Sequence, residues 1–290
     1  MNTVILYAVL ALSSIGVLAA IILYFIAQKF KIIEDPRIDL VADLLPGANC
    51  GGCGFAGCRN MAEFIVKNET LENVSCPPGG NDVLKQIGPI IGQVAEEKAP
   101  MIAVLRCNGS LKNAPSKVKY DGASSCFFVN NLFSGENGCP NGCIGLGDCV
   151  TSCLFDAMYI DSETGLPVID NEKCVACGAC VKSCPRAIIE LRLKGKKDKR
   201  IFVSCVNKEK GAVAKKNCEV ACIGCGKCVK ECKFEAITLS NNVAYINFEK
   251  CTLCRKCVES CPTKAIHEVN FPARKNKEAS ELTEKETIVN

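Results

Sequence analysis

Cysteine is the residue type that could do chemistry in this 290-residue chain, which contains 24 of them. Three runs have the spacing Cys-x2-Cys-x2-Cys-x3-Cys, and a fourth is a stretched version with spacings of x3, x5 and x3. Neighbours this close cannot all pair as disulfides, but they can converge on a metal centre. The four runs are Cys139, Cys143, Cys149 and Cys153; Cys174, Cys177, Cys180 and Cys184; Cys222, Cys225, Cys228 and Cys232; and Cys251, Cys254, Cys257 and Cys261.

The spacing within these runs favours iron–sulfur clusters over zinc. Three thiolates from one tight loop can reach three corners of a cubane cluster, while the fourth cysteine points away to a second cluster. Four-cysteine zinc sites use paired Cys-x2-Cys knuckles separated by a spacer and do not need three ligands so close together. A zinc-stabilised scaffold without redox chemistry is the alternative from a different functional class. Brown colour and an EPR signal on reduction would exclude it.

A different four-cysteine pattern lies nearer the N-terminus. Cys50, Cys53 and Cys58 lie in a glycine-rich segment that begins at Pro46, and Cys76 follows. Glycine lets the backbone approach a cluster closely and direct N–H groups at its sulfurs, which raises the reduction potential. This pattern predicts a fifth cluster.

The four remaining cysteines, Cys107, Cys126, Cys205 and Cys218, lie on two similar arms. In each arm a predicted strand ends at a cysteine, and a Gly-Ala step and a second cysteine follow. Two arms with two ligands each could close a sixth four-cysteine site. The alternative is inert buried thiols, since free cysteine packs like a small hydrophobic residue.

The runs resemble the motifs of two-cluster ferredoxins, because Pro185 and Pro262 follow the last cysteine of their runs as in that family. Lys233 and Leu154 stand where the family usually has proline, and the stretched run is a further departure. The resemblance implies four ligand sets: Cys222, Cys225, Cys228 and Cys261; Cys251, Cys254, Cys257 and Cys232; Cys174, Cys177, Cys180 and Cys153; and Cys139, Cys143, Cys149 and Cys184.

The elements that position these sites begin with an apolar N-terminal segment. Residues 4–27 contain no charged residue, and a helix of that length would run about 36 Å, enough to span a bilayer. Lys29 and Lys31 follow, and no Lys or Arg precedes. The positive-inside rule therefore predicts a single-pass anchor in the inner (cytoplasmic) membrane, with the N-terminus outside and the cluster domains on the cytoplasmic side. A cleaved signal peptide would need a basic n-region and a shorter apolar run.

The rest of the chain predicts an α+β protein with a small helical Fe–S domain and tandem two-cluster ferredoxin-like modules. The segments around Cys153 and Cys174 resemble those around Cys232 and Cys251, which indicates two copies of one module. The basic run 192–200 is interpreted as a solvated hairpin connection rather than a docking site for an acidic partner. The predicted regions are a transmembrane anchor (1–28), a linker (29–45), a four-cysteine domain (46–99), a strand and loop segment (100–138), the first module (139–193), an insertion (194–221), the second module (222–270) and a polar tail predicted to be disordered (271–290).

The formal charge of +4 does not indicate a nucleic-acid partner. Thiolates are the ligands, so each four-iron site adds about −2, and six such sites would bring the protein to about −8. No Ser-His-Asp set, phosphate-binding loop or dinucleotide fingerprint is present, so the sequence predicts no catalytic residues.

The order of these features resembles the B-subunit family of the Rnf complex over nearly the whole chain. The resemblance rests on an uncharged N-terminal helix, then Pro-Gly-Ala-Asn-Cys-Gly-Gly-Cys-Gly-Phe-Ala-Gly-Cys at residues 46–58, then the ferredoxin-like region. It implies a component of a membrane-bound ferredoxin:NAD oxidoreductase (a translocase) coupled to ion translocation. This component would accept electrons from reduced ferredoxin and relay them through five [4Fe-4S] clusters, with a sixth possible in principle, to membrane partners.

The implied partners are soluble ferredoxin and the integral membrane and NAD-binding subunits of the same complex. A membrane-tethered polyferredoxin serving another dehydrogenase complex is the alternative function. In either case the glycine-rich site near the anchor is the expected exit for electrons, and the C-terminal module is the expected entry. Nothing in the sequence resembles an ion channel, so ion pumping would belong to partner subunits.

Overall fold

The computed structural model describes residues 2–29, 34–133 and 135–272. Lys31 and the predicted tail from residue 273 onward lie outside the described residues. The helices are α1 (Asn2–Lys29), α2 (Arg37–Leu44), α3 (Cys58–Asn68), α4 (Gly80–Ile91), α5 (Cys126–Leu132), α6 (Asp148–Thr151), α7 (Ala179–Ser183), α8 (Gly211–Asn217), α9 (Lys227–Glu231) and α10 (Lys256–Ser260). The strands are β1 (Met101–Leu105), β2 (Met158–Ile160), β3 (Pro167–Ile169), β4 (Ile189–Leu193), β5 (Arg200–Val203), β6 (Ile237–Ser240), β7 (Val243–Ile246) and β8 (Ile266–Val269).

Helix α1 is the apolar N-terminal segment. Residues Ile5–Lys29 are long and apolar enough to cross a membrane, and within the described part of the chain no other helix is. Its side chains are exposed, as expected for a helix that packs against lipid rather than against its own protein. The hydroxyls of Ser13 and Ser14 donate to carbonyls three residues earlier, so they carry no unsatisfied donor into an apolar environment.

Helices α2, α3 and α4 form a small domain with its own core. Ile38 and Val41 of α2 pack against Met61 and Ile65 of α3 and against Ile87 of α4. The sequence placed residues 29–45 in a linker, and this differs from the structure, because α2 contributes buried side chains to the domain. Eight residues are too few to show a clear apolar periodicity, so the sequence does not predict this helix.

Helix α4 includes Pro89 and ends two residues later, at Ile91. Gly92 then takes a left-handed backbone with a φ of +71°, the usual terminator of a helix.

The remainder consists of two modules with the same plan. In each, an early strand pairs with the last strand, and a central hairpin forms a second sheet. Strand β1 pairs antiparallel with β4, with Met101 opposite Leu193, and β2 pairs with β3. Strand β5 pairs with β8, with Arg200 opposite Val269, and β6 pairs with β7. The segments predicted as separate, 100–138 and 194–221, thus supply the first strand of each module.

The connection between β4 and β5 is not a hairpin, which corrects the interpretation of the basic run 192–200. The two strands belong to different sheets, and a short 3₁₀ turn at Lys196–Asp198 joins them. The run therefore links one module to the next. Arg192 and Arg200, at its two ends, are buried rather than solvated.

Candidate metal centres

The glycine-rich segment and Cys76 form one four-cysteine site, called here the N-terminal site. Cys50, Cys53, Cys58 and Cys76 line one cavity. Asn49 organises it, because its side-chain oxygen accepts a hydrogen bond from the Cys58 backbone N–H at 2.8 Å. A Cβ on Gly57 would lie 2.9 Å from that oxygen and would push the Asn49 side chain away from this position. The Asn of the motif thus fixes the distance between its first and third cysteines.

The short helices place one cysteine of each loop in the same way. The residue before each helix has a left-handed backbone, which turns the chain so that the next turn of helix carries a buried cysteine. Gly178, Gly226 and Arg255 have φ values of +79°, +71° and +68° and precede α7, α9 and α10. Glycine takes this conformation without strain, whereas Arg255 does so at a cost of about 1 kcal/mol.

Three further cavities are each lined by four cysteines. The Cys251 site and the Cys222 site have the composition that the ferredoxin resemblance implied. The third cavity, called the Cys143 site, differs. The three sets are Cys232, Cys251, Cys254 and Cys257; Cys222, Cys225, Cys228 and Cys261; and Cys126, Cys143, Cys149 and Cys184.

The two remaining sets lie on either side of the Cys143 site. Cys107, Cys139, Cys205 and Cys218 line one cavity, called the bridging site. The other set is called the Cys174 site. Burial, together with the charges of the neighbouring Cys174, Cys177, Cys149 and Cys153, raises the pKa of the Cys180 thiol to about 12. Cys180 and three of these neighbours make up the expected set of Cys153, Cys174, Cys177 and Cys180.

The structure exchanges Cys126 and Cys139 relative to the grouping implied by the sequence. The Asp148 carboxylate explains the position of Cys126, because it accepts hydrogen bonds from the Ser125 hydroxyl and from the Cys126 backbone N–H at 2.8 Å. Burial opposes ionisation of Asp148, but these hydrogen bonds hold its pKa below the usual value. Since Asp148 immediately precedes Cys149, this anchor brings Cys126 to the Cys143 site.

Cys139 is held on the opposite side by Arg186. The Arg186 guanidinium donates to the Cys139 and Gly142 backbone oxygens, which fixes the turn that carries Cys139. The stretched spacing of this run gives Cys139 the freedom to leave the loop. The sequence signal for the exchange was the Ser125-Cys126 helix start, with a carboxylate available at Asp148.

The donor set fits iron–sulfur clusters. None of the 24 cysteines forms a disulfide. Within the described ranges no three His, Cys, Asp or Glu side chains converge as the ligands of a single metal ion would. Four thiols that line a cavity without grouping around a single ion suit a polynuclear core rather than one zinc.

Burial makes these sites dependent on metal. It raises the pKa of Cys205 and Cys257 to about 12 and that of Cys107 to about 11, so without metal the thiols are neutral at pH 7. Thiolates are the ligands, so iron must displace these protons when it binds. When bound, iron–sulfur clusters supply one-electron redox chemistry, and the chain supplies the ligands and the surrounding charge.

Backbone N–H groups point at several of the sulfurs. The Cys107 sulfur accepts from Gly109 at 3.4 Å and from Cys143 at 3.3 Å. The Cys261 sulfur accepts from Ala265 at 3.3 Å. Such hydrogen bonds stabilise negative charge on a thiolate and are one of the levers by which a protein sets a cluster potential.

The six sites form an unbranched series. Cys257 neighbours Cys228, which connects the Cys251 site to the Cys222 site. The Cys205 sulfur accepts a hydrogen bond from the Cys222 backbone, which brings in the bridging site.

The series continues through the first module. The hydrogen bond from Cys143 to the Cys107 sulfur connects the bridging site to the Cys143 site, and Cys149 neighbours Cys180 of the Cys174 site. Finally, a Cβ on Gly52 would lie only 2.9 Å from the Cys177 backbone oxygen, so the N-terminal site abuts the Cys174 site.

Comparison with known proteins agrees with this arrangement. Family models for a 4Fe-4S dicluster domain match residues 141–188 and 221–266, and a model for a putative Fe-S cluster matches residues 45–78. The B subunit of the Na⁺-translocating ferredoxin:NAD⁺ oxidoreductase complex of Acetobacterium woodii is 41% identical over 251 residues, which cover 87% of this chain and 74% of that protein. The chain belongs to the Rnf B-subunit family. This membership confirms the resemblance drawn from the sequence.

Two other members of the Rnf B-subunit family match at similar levels. The B subunit of the proton-translocating ferredoxin:NAD⁺ oxidoreductase complex of Clostridium ljungdahlii is 39% identical over 87% of both chains. The B subunit of the ion-translocating oxidoreductase complex of Methanosarcina acetivorans is 41% identical over 87% of this chain and 94% of its own.

The limits of the first dicluster match bear on the exchanged cysteines. Residues 141–188 exclude Cys139 and contain seven cysteines, whereas two four-cysteine sites need eight. Cys126 supplies the eighth in the structure. The match at 221–266 contains eight cysteines by itself. The bridging site of this Rnf B-subunit chain lies outside both matches.

Iron counting on double variants distinguishes the two groupings. If Cys139 belongs to the bridging site, Cys107→Ala with Cys139→Ala removes one cluster and leaves about 20 irons per chain. Cys139→Ala with Cys149→Ala removes two clusters and leaves about 16. The grouping implied by the sequence predicts the reverse. The control pair, Cys143→Ala with Cys149→Ala, leaves about 20 irons under either grouping.

Proposed function

We propose that this chain is the electron-transfer subunit of a membrane-bound, ion-translocating ferredoxin:NAD⁺ oxidoreductase complex. It accepts electrons from reduced ferredoxin and relays them through six [4Fe-4S] clusters, held by the 24 cysteines in the six sites defined above. The observation that carries the proposal is the unbranched series of sites from the second module to the domain beside α1. An α+β chain built this way needs no catalytic residue of its own, since its role is to hold and order the clusters.

Electrons enter at the second module. Cys225 and Cys254 of that module are exposed, whereas the other 22 cysteines are buried or half-buried. Residues 222–270 contain seven Lys and Arg against five Asp and Glu, while residues 139–193 contain four against seven. Once about −2 is counted for each of two clusters, the second module is near −2 and the first near −7. A ferredoxin, which carries the negative charge of its own cluster, is therefore repelled least at the second module, the exposed end of the series.

Electrons leave through the N-terminal site. That site lies at the opposite end of the series, and its domain follows directly on α1 in sequence. The helix holds this end beside the membrane, within reach of the integral membrane subunits. By the positive-inside rule, Lys29 places the cluster domains on the cytoplasmic side, where ferredoxin and NAD⁺ are found. Ion translocation and NAD⁺ reduction then belong to the partner subunits.

The proposal is tested with the full-length chain purified anaerobically in detergent. We expect about 24 irons per chain and the uptake of about six electrons from reduced ferredoxin, one for each four-iron cluster. A colourless or zinc-loaded protein that folds, or one that takes no electrons from ferredoxin, contradicts the proposal.

A membrane-tethered polyferredoxin would pass the same electron count. Affinity purification of the tagged chain from membranes separates the two functions. Recovery of integral membrane subunits together with an NAD-binding subunit supports the proposed complex, whereas recovery with an unrelated dehydrogenase supports the polyferredoxin.

A further inference from the structure

Two arginines are buried at the junction between the modules, where the sequence suggested a solvated connection. Arg192, in the last strand of the first module, is 1% exposed, and Arg200, in the first strand of the second module, is 6% exposed. A buried guanidinium is costly unless its charge and its hydrogen-bond donors are satisfied. Their surroundings therefore show what their role is.

Arg192 reaches from the first module into the second. It pairs with Glu190 at 2.5 Å, and its guanidinium lies 5.6 Å from the centroid of the Phe248 ring and 5.3 Å from that of Tyr245. Phe248 lies three residues before Cys251. The cation is thus packed against the loop that carries the Cys251 site.

Arg200 reaches in the opposite direction, from the second module to the first. It starts in the second module, and its Nη2 donates a hydrogen bond of 2.9 Å to the side-chain oxygen of Asn171. Asn171 lies three residues before Cys174. Asn171 and Phe248 occupy equivalent positions in the two copies of the repeated segment Glu-Lys-Cys. The two modules therefore exchange arginines in a reciprocal way, each next to the same loop of the other.

The surrounding protein leaves part of this charge unmatched. Glu190 is shared between Arg192 and Arg106, which it meets at 3.4 Å. In the part of the chain that the structure describes, Nη2 of Arg192 and both Nε and Nη1 of Arg200 are buried without a hydrogen-bond partner. Asp198 is the carboxylate that acts on Arg200. Unmatched buried cations beside four-thiolate sites indicate that the sites themselves provide the balancing negative charge.

We propose that Arg192 and Arg200 are positioning residues that set cluster potentials across the module junction, Arg192 for the Cys251 site and Arg200 for the Cys174 site. Reduction adds a negative charge to a cluster, and a buried positive charge nearby favours that state, which raises the reduction potential. The inference rests on the proposed function only in requiring clusters at these two sites.

The two arginines interact electrostatically with cysteines of the opposite module. Arg192 acts on Cys251, and Cys174 acts on Arg200. A higher potential at the Cys251 site, which lies at the exposed end of the series, favours capture of an electron from the donor.

The test is an EPR-monitored redox titration of the full-length holoprotein after its iron content has been measured. With Arg192→Met we expect one midpoint to fall by about tenfold in the equilibrium constant for reduction, or ~59 mV for one electron. Arg200→Met lowers a different midpoint, and Arg192→Lys, which keeps the charge, retains most of the potential. In a chain that also carries Cys254→Ala, which cannot hold the cluster of the Cys251 site, the Arg192→Met shift disappears.

Matched exposed charges serve as controls. Lys250→Met next to Cys251 and Lys182→Met next to Cys180 remove positive charges that water already screens, so we expect little change. Glu190→Gln tests the opposite sign and does not depend on the arginine variants folding. It leaves Arg192 in place, removes the carboxylate that pairs with it and raises the midpoint of the Cys251 site.

Two results would overturn the inference. One is a wild-type set of midpoints in both Met variants at full iron content, and the other is an unchanged midpoint in Glu190→Gln. The first would leave both arginines as packing residues, and the second would leave Arg192 as one. Neither would affect the proposed electron-transfer role. Loss of iron from the wild-type chain itself, by contrast, would count against the proposed function.

Discussion

Cys205→Ala is expected to abolish ferredoxin-dependent NAD⁺ reduction by the complex while the second module is still reduced by ferredoxin. Cys205 belongs to the bridging site, which is the one contact between the two modules in the series of sites in the described structure. Removing a ligand there interrupts the series between the Cys222 and Cys143 sites. Electron transfer falls steeply with distance, so the neighbouring sites do not replace the missing one.

The measurement combines three readouts on the purified complex. Iron should fall to about 20 per chain, which shows that the other clusters are in place. Rapid mixing with reduced ferredoxin should still deliver about two electrons per chain, one to each cluster of the second module. NAD⁺ reduction should fall to background.

Two results would contradict this order of sites. Uptake of about five electrons at the wild-type rate would show that the modules communicate without the bridging site. Retention of NAD⁺ reduction would show that electrons leave from the second module. The matched comparison is Cys53→Ala, which also removes one cluster but at the far end of the series.

Cys53→Ala is expected to stop transfer to the membrane partners while the five other clusters remain reducible. Cys53 lines the N-terminal site, which lies beyond the Cys174 site. Ferredoxin should therefore still deliver about five electrons per chain, but NAD⁺ reduction should fall to background. The number of electrons taken up per chain, about five in this variant and about two in Cys205→Ala, therefore shows the position of each site in the series. Unchanged NAD⁺ reduction would reject the N-terminal site as the exit.

A milder variant at the contact between the N-terminal site and the Cys174 site separates the effect of losing a cluster from the effect of changing the distance between two clusters. A side chain at Gly52 would press against the Cys177 backbone, with a Cβ at 2.9 to 3.1 Å from its atoms. Gly52→Val should therefore keep about 24 irons and slow NAD⁺ reduction by pushing the two sites apart. Ala56→Val, in the same loop but exposed, is the control and should have no effect. Equal rates in both variants would mean that this contact is not on the electron path.

Much of the candidate site could be predicted from local sequence. A Cys-x2-Cys-x2-Cys loop brings three ligands together by itself, because seven residues and their turn define the geometry. The same holds for the N-terminal site, where Asn49 and the glycines lie within a few residues of the cysteines they position. The candidate membrane helix could also be predicted locally, since crossing a bilayer depends on the length and apolarity of one continuous segment.

Features that depend on distant segments could not be predicted in this way. Cys139 belongs to one of the four runs and Cys126 does not. The choice between them is nevertheless made by Asp148 and Arg186, which meet them only after folding. The sequence predicts a linker where helix α2 lies, because the apolar face of this short helix is buried only by contact with α3 and α4. The basic run 192–200 is predicted to be solvated because its charges can be counted in the sequence. The burial of Arg192 and Arg200 depends on the packing of the two modules.

By itself the sequence determined what kind of chemistry this protein does: cysteine number and spacing indicate iron–sulfur clusters, and one segment is long and apolar enough to cross a membrane. Only the tertiary structure decided how the centres are ordered and which cysteines complete the bridging site and the Cys143 site. It also decided that two arginines reach across the module junction. The reason is physical. Ligand spacing within a loop is limited by the chain itself, whereas the contact of Cys107 with Cys143, or of Arg200 with Asn171, depends on how the strands of both modules pack together.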